Sequence, residues 1–304
     1  MKKIITISNI LFLTAMLLEF IPSKREGIET WYYIASIMIL EVFYILNTMF
    51  RKDKEKSRTI GDITAIVFGL FIIWELATTK FDLAAKLLFP SPAVIIYLFI
   101  RELPELLKCL VSSLQLLFGG YVLALILAIP LALVIGWRKR LYKAVNPLTK
   151  VMGPIPPTVY IPYAIALLPT FKASSVFIIF IGAFWPIFIN TLNGVFNVER
   201  RIIDSAKALN VNEKSMLFQV ILPATLPSII SGATIGLVMS FILLTAAEMI
   251  GATSGLGWYV KYFSDFADYP RVIVGIIFIG IVVTAIMFLF DKIEGYLLRW
   301  RIIS

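Results

Sequence analysis

An all-α, polytopic membrane helix bundle is the fold class that this sequence predicts, on three observations. Hydrophobic residue types fill 60% of the 304 positions and charged types only 15%, where a soluble domain carries about 25% charged residues. The apolar residues gather in runs near the roughly 20 residues that cross a bilayer. Lysine and arginine collect in alternate segments between those runs, the bias that fixes orientation in a membrane.

Eight spans are expected, at about 4–21, 31–50, 61–79, 110–136, 151–169, 173–196, 225–250 and 272–290. The first follows Met1-Lys2-Lys3 and leads into Glu19, Pro22 and Lys24 without a small-residue cleavage site, so it reads as a retained helix and not a signal peptide. The fifth is interrupted by Pro154, Pro156, Pro157, Pro162 and Pro169 and is expected to be broken or kinked inside the bundle. With the N-terminus inside, segments 1–3, 51–60, 137–150, 197–224 and 291–304 hold 19 of the 28 basic residues, and the outside segments hold 9. Both termini are therefore expected in the cytoplasm.

The linker RKDKEKSRT, residues 51–59, sets the first two helices apart as a solvated cytoplasmic loop. The domains expected are 1–59, two additional helices with the charged linker, and 60–304, a transport core. Pro90 and Pro92 stop and restart the chain in the external stretch 80–109, whose later part reads as a short amphipathic helix at the interface.

Composition also excludes functions. The formal charge of +9 belongs to cytoplasmic loops, so no nucleic-acid partner is expected. One cysteine, Cys109, forbids an internal disulfide. The absence of histidine removes the commonest general base and metal ligand, and no metal site or catalytic residue is expected. The length accommodates one helical membrane domain without a soluble catalytic domain.

The segment from 198 to 230 is too polar to span and too patterned for a linker. A short helix is expected from Glu199 to Leu209, with Ile202, Ala206 and Leu209 on one face. Arg200, Asp204 and Lys207 fall on another, Asp204 and Lys207 within pairing distance. Asn210 is suited to a left-handed turn that closes this helix. Asn212 then caps a second helix through Phe218, and Leu222-Pro223 ends it before the next span. Two such helices on the cytoplasmic face form a knob that suits a groove on a soluble partner.

The segment resembles the EAA loop of ATP-binding-cassette importer permeases. Glu-Ala-Ala, three residues, Gly, about nine residues and an apolar-Leu-Pro become here Asp204-Ser205-Ala206, Asn210 and Ile221-Leu222-Pro223. Asp204 keeps the charge, and Asn210 keeps access to the left-handed turn. LLFPSPAVI (87–95), SSLQLLFGGYVLALILAIPLALVIGW (112–137), FIGAFWPIFINTLNGV (180–195), AAEMIGATSGLGWYV (246–260) and LLRW (297–300) resemble the nitrate/sulfonate/taurine branch of these permeases. Where that branch usually carries Trp-Phe-Gly-Ile-Gly, this chain has Leu168-Pro169-Thr170-Phe171-Lys172, and the two additional N-terminal helices also depart from the usual six-span core.

The resemblance implies a type I importer permease in the cell (inner) membrane. It implies a second permease copy, a cytoplasmic ATPase dimer and an extracytoplasmic solute-binding protein as partners. ATP and magnesium would bind the ATPase and no cofactor this chain, which has no phosphate-binding Gly-Lys-Ser/Thr loop. Carried onto this sequence, the coupling loop is Glu199, Arg200, Arg201, Asp204, Ser205, Ala206, Lys207, Leu209, Asn210, Leu222 and Pro223. The implied solutes are nitrate, sulfonates such as taurine, bicarbonate or pyrimidine vitamin precursors.

Ionisable residues within spans are costly and mark functional candidates. They are Glu19, Glu41, Asp62, Glu75 and Glu248. Glu248 precedes Ser254-Gly255-Leu256-Gly257, whose N–H groups suit a carboxylate; the alternative places Glu248 at an external gate. Asn190, Thr191 and Asn193 in the sixth span, and Ser240 and Thr245 in the seventh, either line the pathway or bond helix to helix. Trp185, Trp258, Tyr259 and Tyr262 are expected in an interfacial belt, and Lys172 and Lys261 as snorkelling lysines near the outer mouth. A secondary transporter or channel is the alternative, but no inverted repeat is evident. An intramembrane enzyme lacks paired catalytic carboxylates.

Overall fold

The computed structural model describes residues 6–25, 30–50 and 54–299. The expected inside segment 1–3, residues 51–53 of the linker, Trp300 and the C-terminal end lie outside them.

All regular structure among the described residues is helical. In chain order it comprises α1 (Ile7–Leu18), α2 (Trp31–Phe50), α3 (Lys54–Glu75) with a π turn at Leu76–Lys80, α4 (Pro92–Trp137) and α5 (Lys139–Met152). A 3₁₀ turn (Pro157–Tyr160) leads into α6 (Ile161–Leu167), then α7 (Phe171–Phe196), α8 (Arg200–Ala208) and α9 (Glu213–Ser215). A second π segment (Met216–Ile221) joins α9 to α10 (Leu222–Gly251), followed by α11 (Leu256–Asp265) and α12 (Tyr269–Leu297).

Six helical stretches among the described residues are long and apolar enough to cross a membrane: 31–50, 57–80, 92–137, 171–196, 213–251 and 269–297. Two expected spans fall short. α1 has 12 residues. The fifth is divided by its prolines, which remove N–H donors and clash with the preceding turn, so that α5 ends at Met152 and α6 covers 7 residues. Two expected breaks are absent. α4 runs unbroken for 46 residues, so the amphipathic stretch before 110 is part of the same helix. Lys54–Arg58 belong to the first turns of α3 and not to a loop; Thr59 donates to the Glu55 carbonyl there.

Leu222-Pro223 does not end a helix either. The stretch from Glu213 to Gly251 is continuously helical because the π segment lies immediately before Leu222-Pro223. Proline at 223 cannot donate to the carbonyl four residues back, Gln219, and its ring would crowd it. Gln219 is inside the widened π turn, where bonding is shifted by one residue.

The chain forms two compact units: 1–106 with 260–277, and 107–259 with 278–304. In the first, α1, α2 and α3 enclose Ala15, Tyr33, Ile37 and Phe68. Arg25 holds the chain around residues 82–89. It donates to Asp82 (2.6 Å) and to the Ala84 and Phe89 carbonyls. The Arg25 guanidinium keeps the Asp82 carboxyl below its usual pKa.

The second unit is built on α7 and α10. Its core includes Leu117, Ala124, Ala128, Ile179, Ala183, Ile187, Leu192 and Leu244. Tyr121 of α4 donates to the Ala233 carbonyl of α10 at 2.9 Å. Gly232 lets the two helix backbones meet, since a Cβ there would lie 2.9 Å from the Pro186 carbonyl oxygen and 3.1 Å from the Ile187 Cα. Gly232→Leu is therefore expected to lower the unfolding midpoint of the protein in lipid nanodiscs, with an overpacking cost of about 1–3 kcal/mol or more. An unchanged midpoint would show that α7 and α10 do not meet there.

Candidate functional site

Three features of the second unit bear on function: a cavity with amide and lysine groups on a largely apolar wall, the short helix α8 and a buried carboxylate latch. The cavity, about 790 Å³, lies between the α5 residues Tyr142, Asn146, Thr149 and Lys150, the α7 residues Trp185, Pro186, Ile189, Asn190 and Asn193, and Ile235 of α10. Its α5 wall follows from an i, i+3, i+4 spacing that puts Asn146, Thr149 and Lys150 on one helix face. On α7, Asn190 donates to the Pro186 carbonyl at 2.9 Å, which leaves a second amide N–H and its carbonyl oxygen uncommitted by that bond. The Tyr142 hydroxyl approaches the Asn193 amide oxygen at 3.5 Å, and its ring stacks on Phe196 at 3.9 Å. The cavity wall carries one cation, Lys150, and no carboxylate.

The residues expected along a pathway divide into three groups. Asn190 and Asn193 line the cavity. Thr191 and Ser240 are fully buried in the core, and the Ser240 hydroxyl donates back to the Gly236 carbonyl. Thr245 donates to the Phe241 carbonyl and stands with Glu248 away from the cavity. Trp185 corrects the expectation of an interfacial belt, being mid-helix in α7 and on the cavity wall. Tyr259, fully buried, corrects it too. Lys172 is exposed, and Lys261 pairs with Asp265. Tyr142, Asn146 and Lys150 were not singled out in the sequence; their signal was the polar face of α5 within a segment that reads as a basic loop.

Glu248 is 1% exposed and doubly held. The Ser113 hydroxyl donates to its Oε1 at 2.6 Å, and the Gly257 N–H donates to its Oε2 at 2.7 Å. Ser113 Oγ in turn accepts the Leu256 N–H at 2.8 Å. The carboxylate thus ties the turn after α10 to α4, with Gly255 at φ +126° passing directly over it.

α8 closes as expected of Asn210. Asn210 has φ +52°, its N–H donates to the Lys207 carbonyl, and the Val211 N–H donates to the Ala206 carbonyl. This pair of bonds is a Schellman closure. The Asn212 side chain caps α9 by accepting the Ser215 N–H at 2.8 Å. The single apolar face through Ile202, Ala206 and Leu209 is not formed. Ala206 turns inward with Ile203, onto a core of Leu133, Val195, Met216 and Ile221. Ile202 and Leu209 are 43% and 79% exposed, beside exposed Arg200, Arg201, Asp204, Ser205 and Lys207. Asp204 and Lys207 form no ion pair with one another; Arg201 is instead 3.8 Å from Glu199, and Arg138, between α4 and α5, meets Glu213 at 3.2 Å. Leu222 packs on the same small core, and Pro223 is exposed.

Comparison with known proteins matches residues 120–302 to the model of the family described as binding-protein-dependent transport system inner membrane component. A putative ABC transporter permease of Methanocaldococcus jannaschii is 30% identical over 69% of this chain and 81% of its own. A putative aliphatic sulfonates transport permease of Bacillus subtilis is 28% identical over 76% of this chain and 84% of its own. Among solved structures, the inward-facing MetNI methionine ABC transporter superposes with a TM-score of 0.56 at 19% identity, over 65% of this chain and 98% of that one.

Proposed function

Because the chain belongs to the family of binding-protein-dependent transport system inner membrane components and is thus a permease subunit of an ABC importer, we propose that its Lys150 cavity takes a small anion in transit. ATP hydrolysis in such importers takes place on a separate ATPase subunit, and the permease is not an enzyme. The observation that carries the proposal is the charge of the wall: one ammonium, amide groups from Asn146, Asn190 and Asn193, and no carboxylate. Those groups stabilise a sulfonate, nitrate or carboxylate and disfavour a cation. The sulfonate named for the Bacillus relative has this chemistry.

In this reading a second copy of the chain completes the pathway in the inner membrane, and a binding protein delivers solute from outside. The first 59 residues are an addition to a transport core at 60–304. An ATPase dimer grips α8 through Ile202, Leu209, Arg200, Arg201, Asp204, Ser205 and Lys207. Movement of α8 reaches the cavity by two physical links. Ala206 packs on Val195 of α7, and α9 continues through the π segment into α10. Both helices line the cavity. Glu248, Thr245, Thr191 and Ser240 then hold the helices in register and do not touch solute.

The test is uptake into proteoliposomes carrying the permease with its ATPase and binding protein, using labelled ethanesulfonate and nitrate. A charged hydrogen bond contributes about 1.5–3 kcal/mol, so Lys150→Gln is expected to lower uptake roughly ten- to hundredfold, and Lys150→Glu further. Uptake of both anions unaltered by Lys150→Glu would remove the cavity from the pathway.

A further inference from the structure

Buried charge also gathers in the N-terminal unit, outside the residues matched to the family. Glu75, the last residue of α3, is 2% exposed, and Lys80, at the end of the following π turn, 3%. The Glu19 side chain, at the end of α1, is 10% exposed. The Lys80 ammonium donates to the Ile21 carbonyl at 3.0 Å and to Ser23 Oγ at 3.1 Å, and lies 4.0 Å from Glu19 Oε2. It therefore offsets one carboxylate at most. Of the two neighbouring cations in the sequence, Lys24 is exposed, and Arg25 is occupied by Asp82 and two carbonyls.

Two carboxylates against one ammonium leave a negative charge in a site that excludes water, a costly arrangement without a compensating cation. A second observation points to what is missing. The Tyr33 hydroxyl, on a side chain 1% exposed, has no hydrogen-bond partner, and neither has Glu19 Oε1. Tyr33 lies within electrostatic reach of both Glu75 and Glu19, and Glu75 within reach of Glu19 and Lys80. Glu75 also accepts a hydrogen bond from Thr79; the unpartnered Tyr33 hydroxyl and Glu19 Oε1 remain in the same buried, charged neighbourhood beside the π turn that ends at Lys80, and π turns are frequent at functional sites.

We propose that Glu19, Glu75 and the Tyr33 hydroxyl together bind one monovalent cation, a proton or a sodium ion, beside Lys80. The bound charge makes the cluster neutral. As a proton it lies between the two carboxyl groups with Tyr33 Oη as a further partner; as sodium it takes carboxylate oxygens and the phenol oxygen as ligands.

The experiment uses the full chain in nanodiscs of neutral lipid and has two arms. Infrared difference spectra of wild type against Glu75→Gln and Glu19→Gln, at neutral pH in choline chloride, read a protonated carboxyl. Unfolding midpoints in sodium chloride against choline chloride at equal ionic strength read sodium. A bound proton gives a carboxylic-acid C=O band in wild type that disappears in either carboxamide variant and shifts in Tyr33→Phe. Bound sodium gives no such band but a higher midpoint in sodium, lost in either carboxamide variant and reduced in Tyr33→Phe. The two variants guard against one failing to fold. Wild type showing neither signal, or a signal persisting in both carboxamide variants, overturns the proposal.

Discussion

Gly255→Ala is expected to open the Glu248 latch. An L residue at φ +126° is strained, and its Cβ would lie 2.3 Å from Glu248 Oε1. The carboxylate cannot give way without surrendering the Ser113 hydroxyl and the Gly257 N–H. Backbone strain of about 1–3 kcal/mol adds to about 1–3 kcal/mol for a buried polar group left unpaired. The unfolding free energy in lipid should therefore fall by about 2–6 kcal/mol. Ser113→Ala, which removes one donor to Glu248 and one acceptor for Leu256, should cost less, about 1–3 kcal/mol. A Gly255→Ala protein as stable as wild type would mean that the turn does not rest on Glu248.

Ile202→Asp with Leu209→Asp is expected to abolish ATP-driven uptake while leaving the folded protein intact. Leu209 is 79% and Ile202 43% exposed, and neither belongs to the core around Ala206, so their replacement leaves that core intact. Two apolar anchors worth about 2 kcal/mol each at an interface correspond to a loss of nearly a thousandfold in affinity for the ATPase, at tenfold per 1.4 kcal/mol. The checks are co-purification with the ATPase and stimulation of its hydrolysis. Ala206→Glu is expected to behave differently. Ala206 is 7% exposed and packs on Val195 and Met216, so a charge there should lower the unfolding midpoint as well as uptake. Uncoupling by Ala206→Glu at an unchanged midpoint would show that Ala206 faces the partner after all.

The contrast between these two variants marks where the sequence was legible. The bonds around Asn210 and Asn212 were readable because caps are local: a left-handed residue and a side-chain acceptor act within four residues. The facing of α8 was not, because helical spacing lists the residues on a face but does not say which face meets the core. Ile203 and Ala206 turned inward because the fold brings Leu133, from the distant helix α4, together with Val195 and Ile221 beneath them. The same limit separated Asn190 and Asn193 from Thr191. Consecutive polar residues on α7 point to different sides, and only the placement of α5 made one side a cavity.

Sequence by itself determined the helical membrane class, the course of most of the spans and the closure of α8, since these depend on apolar run length and local capping. Tertiary structure decided that α4 continues through the expected interfacial helix and that the Leu222-Pro223 step is absorbed by a π turn. It also decided that Glu248 is tied to Ser113, 135 positions away, and that Lys80 reaches back to Ile21, Ser23 and Glu19 at the end of α1. A buried polar group must find its partner wherever the fold brings one, and sequence separation sets no limit on where that is.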